Sequence, residues 1–289
     1  MAEITSGMVK QLRDKTFAGM MDCKKALTET NGDIAAATDW LRDKGILKAG
    51  KISGRVASNG LVAVAARDGF GVVVEVNAET DFVAANDKFQ KLVADTAAAA
   101  LGANGDLEKT REAMNADLTN LVATIGENMS VRRMGSIKAD VVSTYIHNAA
   151  APNMGKIGVL VGLSGADKAK LAEVGSKIAM HVAATKPDFA KSGDVLESVI
   201  EKEKKFFLES GATNGKPENI VGKMVEGRIQ KFFSEIVLEE QEFVMDQTKK
   251  VKAVLAENGA ALVGFVYFLL GDGIEKVQED FAAEVAKMV

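Results

Sequence analysis

The amino-acid sequence predicts an α+β protein, and three textures along the chain carry that prediction. Helical three-four spacing fills the first fifty residues. Strand-like apolar runs begin at Leu61, give way to helices, and return after residue 140, which suggests a duplicated core with antiparallel sheets. Between them and the last strand, apolar residues again recur at helical spacing, as in an inserted helical hairpin. With 289 residues the chain is long enough for several compact units.

Each element has its own signal. Ile4, Met8, Val9 and Leu12 mark a first helix that breaks at Thr16–Gly19. A second helix begins near Met20 with Cys23, Ala26 and Leu27 on one side, and Asp33 caps a third carrying Ile34, Ala37 and Leu41 inward. Gly45 and KAGKISGRVASNG read as a basic, glycine-rich connector, with a boundary near residue 55. LVAVAAR, Asp68-Gly69 and FGVVVEVN then spell a β-hairpin. Asp87 and Gln90 suggest a capping box for a helix with Phe89, Leu92, Val93 and Thr96 inward, and a second helix runs from about 106 to Gly126.

DVVSTYIHNAA and KIGVLVGLS are two further strands, joined by a loop with Pro152 and Gly155, and a helix follows to Ala184. Lys186-Pro187 ends it. Leu196, Val199, Ile200, Phe206 and Phe207, then Ile220, Val221, Met224, Val225 and Ile229, describe two helices around a turn. TKKVKAVLAENG reads as a helix, AALVGFVYFLL as a strand, and Val277, Phe281 and Val285 as the inner side of a closing helix. The expected division is 1–54, 55–139, 140–186 with 234–270, the hairpin 187–233, and a terminal module 271–289.

Composition narrows the function. The net charge of −4, with basic residues dispersed, disfavours direct nucleic-acid binding. No apolar run is long enough to span a membrane, no signal-peptide core opens the chain, and a single cysteine fits a reducing, cytoplasmic setting. Catalytic constellations are missing. There is no phosphate-binding glycine loop, no dinucleotide fingerprint and no paired metal ligands. His181, in IAMHVAA, reads as a buried, hydrogen-bonded core residue, Cys23 as inert packing, and Glu75 with Glu79 as a solvated strand edge. No enzymatic activity and no cofactor are expected. Asp81-Phe82, between the hairpin and its helix, leaves two readings open. Phe82 folds back as a staple, which pattern alone favours, or it stands out to meet a partner. Met20-Met21 raises the same question, with one of the two expected inside the small core.

LRDKTFAGMMDCKKAL (12–27) and EVNAETDFVAAND (75–87) strongly resemble the two signature stretches of the bacterial elongation factor Ts family. IGENMSVRR, KIGVLV, IAMHVAATKP, KMVEGR, EFVM and GIEKV follow in the family's order, so the resemblance covers essentially the whole chain. It implies a small ubiquitin-associated-like three-helix domain, a two-part α+β core, an inserted helical hairpin and a C-terminal helical module. It further implies a guanine nucleotide exchange factor acting on elongation factor Tu, the GTPase that delivers aminoacyl-tRNA; the rival is a non-catalytic scaffold or chaperone. By the same resemblance, Asp81 and Phe82, flanked by Thr80 and Val83, match the pair that enters the GTPase domain beside its Mg²⁺ and switch region. Ile125 and Gly126 match positions supporting that contact, and Met20 and Met21 match a contact from the N-terminal domain. His147, Val244, Met245 and Phe281 match further partner contacts, although the loop after His147 looks longer than the family's. The helical hairpin is a candidate for contact between copies of the chain.

Overall fold

The computed structural model describes residues 4–16, 20–52 and 54–275, with the backbone alone at position 22 and over 44–52. Helices α1 (Ser6–Thr16), α2 (Met20–Glu29) and α3 (Ile34–Ile52) close around Leu12, Cys23, Ala26, Leu27 and Ala37. Asp33 caps α3 as expected, its Oδ1 accepting from the N–H groups of Ala35 (2.8 Å) and Ala36 (3.0 Å). The helix does not stop at Gly45. It continues to Ile52, so the first part of the expected connector is helical. A glycine inside a helix costs only about 1 kcal/mol relative to alanine, which neighbouring structure readily overrides.

Strands β1 (Asn59–Arg67) and β2 (Phe70–Ala78) form the expected hairpin, closed by Asp68 (φ 49°) and Gly69 (φ 74°). Positive φ at both turn residues gives the twist that antiparallel strands need. After β2 come a one-turn helix α4 (Asp81–Ala84), α5 (Asp87–Gly102) and α6 (Leu107–Ile125). The cap of α5 falls one residue before the expected Asp87: Asn86 accepts from the Lys88 N–H, while Gln90 donates to the Ala84 carbonyl. Phe89, Leu92, Val93 and Thr96 all point inward. Strand β3 (Met129–Lys138) has no counterpart in the sequence reading, because its arginines, serine and glycine blur any alternation. Pairing with β2 defines it instead.

The second half begins with β4 (Val141–Ala151) and β5 (Met154–Ser164). The segment after His147 is no long loop. The strand continues through a bulge to Ala151, and only Pro152-Asn153 turns the chain. Helix α7 (Lys168–Thr185) ends in a left-handed residue, Lys186. Helices α8 (Glu197–Glu209) and α9 (Glu218–Ile236) form the arm, tied together by Arg228 Nε donating to Glu203 Oε1 at 2.6 Å. Then come β6 (Glu242–Phe243), β7 (Asp246–Lys250), α10 (Val251–Glu257) and β8 (Ala261–Leu269). The helix expected over TKKVKAVLAENG starts only at Val251, its first residues being strand.

The strands make two antiparallel triplets, β3-β2-β1 and β4-β5-β8, joined where Val62 and Ala63 pair with Gly155 and Met154. Alternation then places each side chain. Leu61, Ala63, Val72, Val74 and Val76 pack under α5 and α6, whereas Val159, Val161 and Leu163 pack under α7. Val62, Val64, Val73 and Leu160 fill the space between the triplets with Val142, Val266 and Phe268. Both sides of the central strands are therefore covered, which explains their nearly unbroken apolar runs. The close approach depends on missing side chains: a Cβ on Gly158 would lie 2.6 Å from a Val62 methyl, and one on Gly71 2.6 Å from a Val142 methyl.

Candidate partner-docking site

The chain leaves β2 at Ala78, crosses Glu79 and Thr80, and makes the single turn of α4. One turn of helix cannot turn all its residues the same way. Val83 enters the core at 5% exposure, with Phe89 and Leu92 in the same cluster, and Phe82 is left 84% exposed. The staple reading of Phe82 therefore fails: its neighbour occupies the inward position. Asp81 is exposed as well, and among the described residues its carboxylate takes no hydrogen bond or ion pair, so it caps nothing. A large ring and an unengaged charge thus stand side by side in water. Exposing such a ring forfeits roughly 1.5–3 kcal/mol of burial.

The base of this tip is tied down by hydrogen bonds. Thr80 gives its N–H to Glu127 Oε2 (3.0 Å) and its hydroxyl to Glu127 Oε1 (2.8 Å). Glu79 reciprocates, accepting the N–H of Asn128 (2.5 Å) and pairing with Arg55 (3.5 Å). Asn59 donates to the Glu79 carbonyl at 2.8 Å. Ile125 and Gly126 lie directly before this clasp. Ile125 ends α6, partly packed on the core, and Gly126 (φ 86°) is its left-handed cap. The structure therefore assembles Thr80, Asp81, Phe82, Val83, Ile125 and Gly126 around one tip.

Glu75 anchors the strand beneath. It is wholly buried, not at a solvated edge, and overturns that expectation. Arg133 Nε (2.6 Å), Arg132 Nη1 (3.0 Å), Asn77 Nδ2 (3.0 Å) and the Gly271 N–H (2.9 Å) all donate to it. Both arginines reach it because β3 bulges there: Glu75 pairs with Arg133 and Val76 with Val131, leaving Arg132 extra. Burial by itself raises the carboxyl pKa, but the Gly271 N–H, Arg133, Asn77 and Arg132 together hold it below the ordinary value of 4.5. The arginines also grip the end of β8 and the chain just beyond it, at the carbonyls of Leu269 and Asp272.

The remaining candidates lie elsewhere. Met20 and Met21 are 61% and 76% exposed at the start of α2, so neither enters the small core, which Leu12, Cys23, Ala26, Leu27 and Ala37 already fill. His147 is exposed on β4, its Nδ1 3.3 Å from the Tyr145 hydroxyl. Val244 and Met245 are the exposed turn between β6 and β7, held from below by His181. That histidine is buried and hydrogen-bonded as expected: Nδ1 accepts the Val244 N–H (3.2 Å), so Nε2 carries the proton donated to Gln241 Oε1 (2.9 Å). Burial lowers its pKa below 6.5, partly offset by Gln241. Phe281 lies outside the described residues.

A family model described as "Elongation factor TS" matches residues 79–272, a span that includes the tip, its clasp and the helical arm. The chain belongs to the elongation factor Ts family. It is similar along its whole length to curated members: 54% identical to "Elongation factor Ts" of Maricaulis maris, with 99% of this chain and 98% of that protein covered. It is 52% identical to the protein of the same name from Rhodospirillum centenum, with 100% and 99% covered. The counterpart from Parvibaculum lavamentivorans is also 52% identical, with 99% and 98% covered. The family places the chain among translation elongation factors.

Among the described residues no helix is long and apolar enough to cross a membrane, and no three metal-ligating side chains gather. What sequence reasoning missed is the support. Glu127, Asn128, Arg132 and Arg133 are common polar residues in a motif, and only their partners reveal what they hold. One local signal existed, a glutamate directly after a glycine that ends a helix.

Proposed function

We propose that the chain binds the GTPase elongation factor Tu and promotes release of its GDP in the cytoplasm, allowing GTP to reload. The exposure of Phe82 beside an unengaged Asp81, on a turn pinned at its base, carries this reading. An exchange factor makes or breaks no bond. It must bind the nucleotide-free GTPase more tightly than the GDP-bound form, and GDP must weaken its binding by the same factor. A ligand with equal affinity for both states shifts nothing.

Phe82 supplies that difference if its pocket in the partner opens only when the switch region moves. Burying the ring contributes roughly 1.5–3 kcal/mol, and about 1.4 kcal/mol is a factor of ten. The ring alone thus accounts for some ten- to hundredfold of coupling. Asp81 adds negative charge where the partner holds Mg²⁺, competing with the groups that keep metal and phosphate in place. The wider footprint, with Met20 and Met21 at one end and Val244, Met245 and His147 at others, anchors the complex and accounts for the rest.

Stopped-flow release of fluorescent GDP from the GTPase tests this directly. Phe82→Ala should slow stimulated release about ten- to hundredfold with an unchanged melting temperature, since the ring packs against nothing it stabilises. An unchanged rate would sink the reading. A scaffold would instead form a complex indifferent to GDP and Mg²⁺, whereas the exchange complex dissolves when both are added.

A further inference from the structure

We infer that Glu127 is the positioning residue of the docking tip and that Gly126 acts through it. The inference rests on the exchange reading for its consequence, though not for its geometry.

A four-residue helix does not hold itself together, because fixing the first turn costs more than its few hydrogen bonds return. Its N-cap would ordinarily help by turning a hydroxyl onto the first free N–H groups. Thr80 sits in that place with extended backbone, but makes no side-chain cap. Both of its donors, hydroxyl and N–H, go to the Glu127 carboxylate instead. Glu79 returns the bond to the Asn128 N–H, and Asn59 fixes the Glu79 carbonyl. The residues before Asp81 are therefore tied to the end of α6, 47 positions away in sequence, and α4 inherits its orientation from that tie.

Gly126 fits the same device. A Cβ there would meet nothing within 4 Å, so space does not demand glycine. Only its φ of 86° does. That left-handed residue stops α6 and turns the chain so that the next side chain faces Thr80. The carboxylate suits the task because it accepts at both oxygens. A glutamine keeps a weaker version, its oxygen taking the Thr80 N–H and its amide donating to the hydroxyl.

The test pairs exchange kinetics with amide hydrogen exchange on the full chain. Glu127→Ala should slow stimulated GDP release about tenfold, the factor that about 1.4 kcal/mol of tip ordering represents. It should also speed hydrogen exchange at Thr80, Ala85 and Asn86 in the chain alone. Glu127→Gln should restore release to within about threefold of wild type, a residual near 0.7 kcal/mol. Added to Phe82→Ala, Glu127→Ala should slow release by no more than about twofold further, because residues acting as one unit are not additive. Full additivity on that background, or unchanged amide exchange, overturns the inference. If Glu127→Ala does not fold, Thr80→Val removes one of the two bonds and is read the same way. Should Phe82→Ala alone leave release unchanged, the exchange reading fails, while amide exchange at Thr80 still decides the clasp.

Discussion

Phe82 on α4 and Val244-Met245 in the turn between β6 and β7 are exposed apolar side chains, and their turns are held differently. Each is fastened through a backbone N–H to a side chain from a distant element. The first uses Glu127, a partly exposed carboxylate at a helix end, and the second uses His181, a fully buried imidazole. Their chemistry separates them. A carboxylate accepts at both oxygens. The imidazole accepts at Nδ1 only while neutral, so the second turn is the one that acid can release. Holding the two exposed turns by unlike groups makes them separately breakable.

Glu75 joins the two halves, and its loss should be the most damaging change. Glu75→Ala leaves Arg132 and Arg133 without their buried partner and frees the chain after β8. Removing one side of a buried ion pair costs about 3–5 kcal/mol, and urea denaturation should read that loss. The folded carboxyl has a depressed pKa, so its stabilisation is complete above the unfolded value of 4.5 and is lost as pH falls through the lower folded value. The variant's stability should therefore depend less on pH in that acid window. A loss below about 1 kcal/mol would mean that apolar packing alone joins the halves.

His181→Phe should come next. The ring fits near Phe243, whose ring centroid lies 5.8 Å away, but the Val244 N–H loses its acceptor and Gln241 Oε1 keeps only the Thr185 hydroxyl, two lost hydrogen bonds worth about 1–3 kcal/mol together. The folded histidine has a lowered pKa, so its contribution is full above 6.5 and is lost as pH falls through the folded value. Denaturation at successive pH values from about 7.5 downward should show wild type weakening where the variant stays flat. An equal slope in both would remove the histidine from the comparison. Stability at the Phe82 turn, read by hydrogen exchange at Thr80, should not move.

Of these three replacements, Gly126→Ala should have the smallest effect on stability. The site has room for a methyl group, and only the left-handed backbone opposes it, at roughly 1–2 kcal/mol. Its loss of stability should be accompanied by faster hydrogen exchange at Thr80, with no change around Val244. A thermal melt and an exchange map of the same sample check both.

Much of the architecture is legible in the residue order alone. Asp68-Gly69 announces its hairpin because two adjacent positive φ angles favour those residues. Helices α5 and α7 announce themselves because one stripe of each meets a sheet. Strand β3 could not be read, since MSVRRMGSIK shows no alternation and is a strand only because β2 lies beside it. Glu75 misled for a related reason: it is a carboxylate near a strand end, and the two arginines that make its burial tolerable lie 57 and 58 positions away.

At the tip the division is sharp. The motif EVNAETDFVAAND, together with the other motifs in their order, pointed to the family, and the residues around it placed Asp81-Phe82 between a strand and a helix, because both depend only on residue types in order. Whether the ring turns in or out was not contained in that order. Periodicity constrains which residues share a side, but the inward place on a single helical turn goes to whichever side chain the existing core can accept. Here Val83 takes it, against a core that Phe89 and Leu92 already fill, while Glu127 holds Thr80 at the entrance. Only long-range packing could decide that Phe82 faces water.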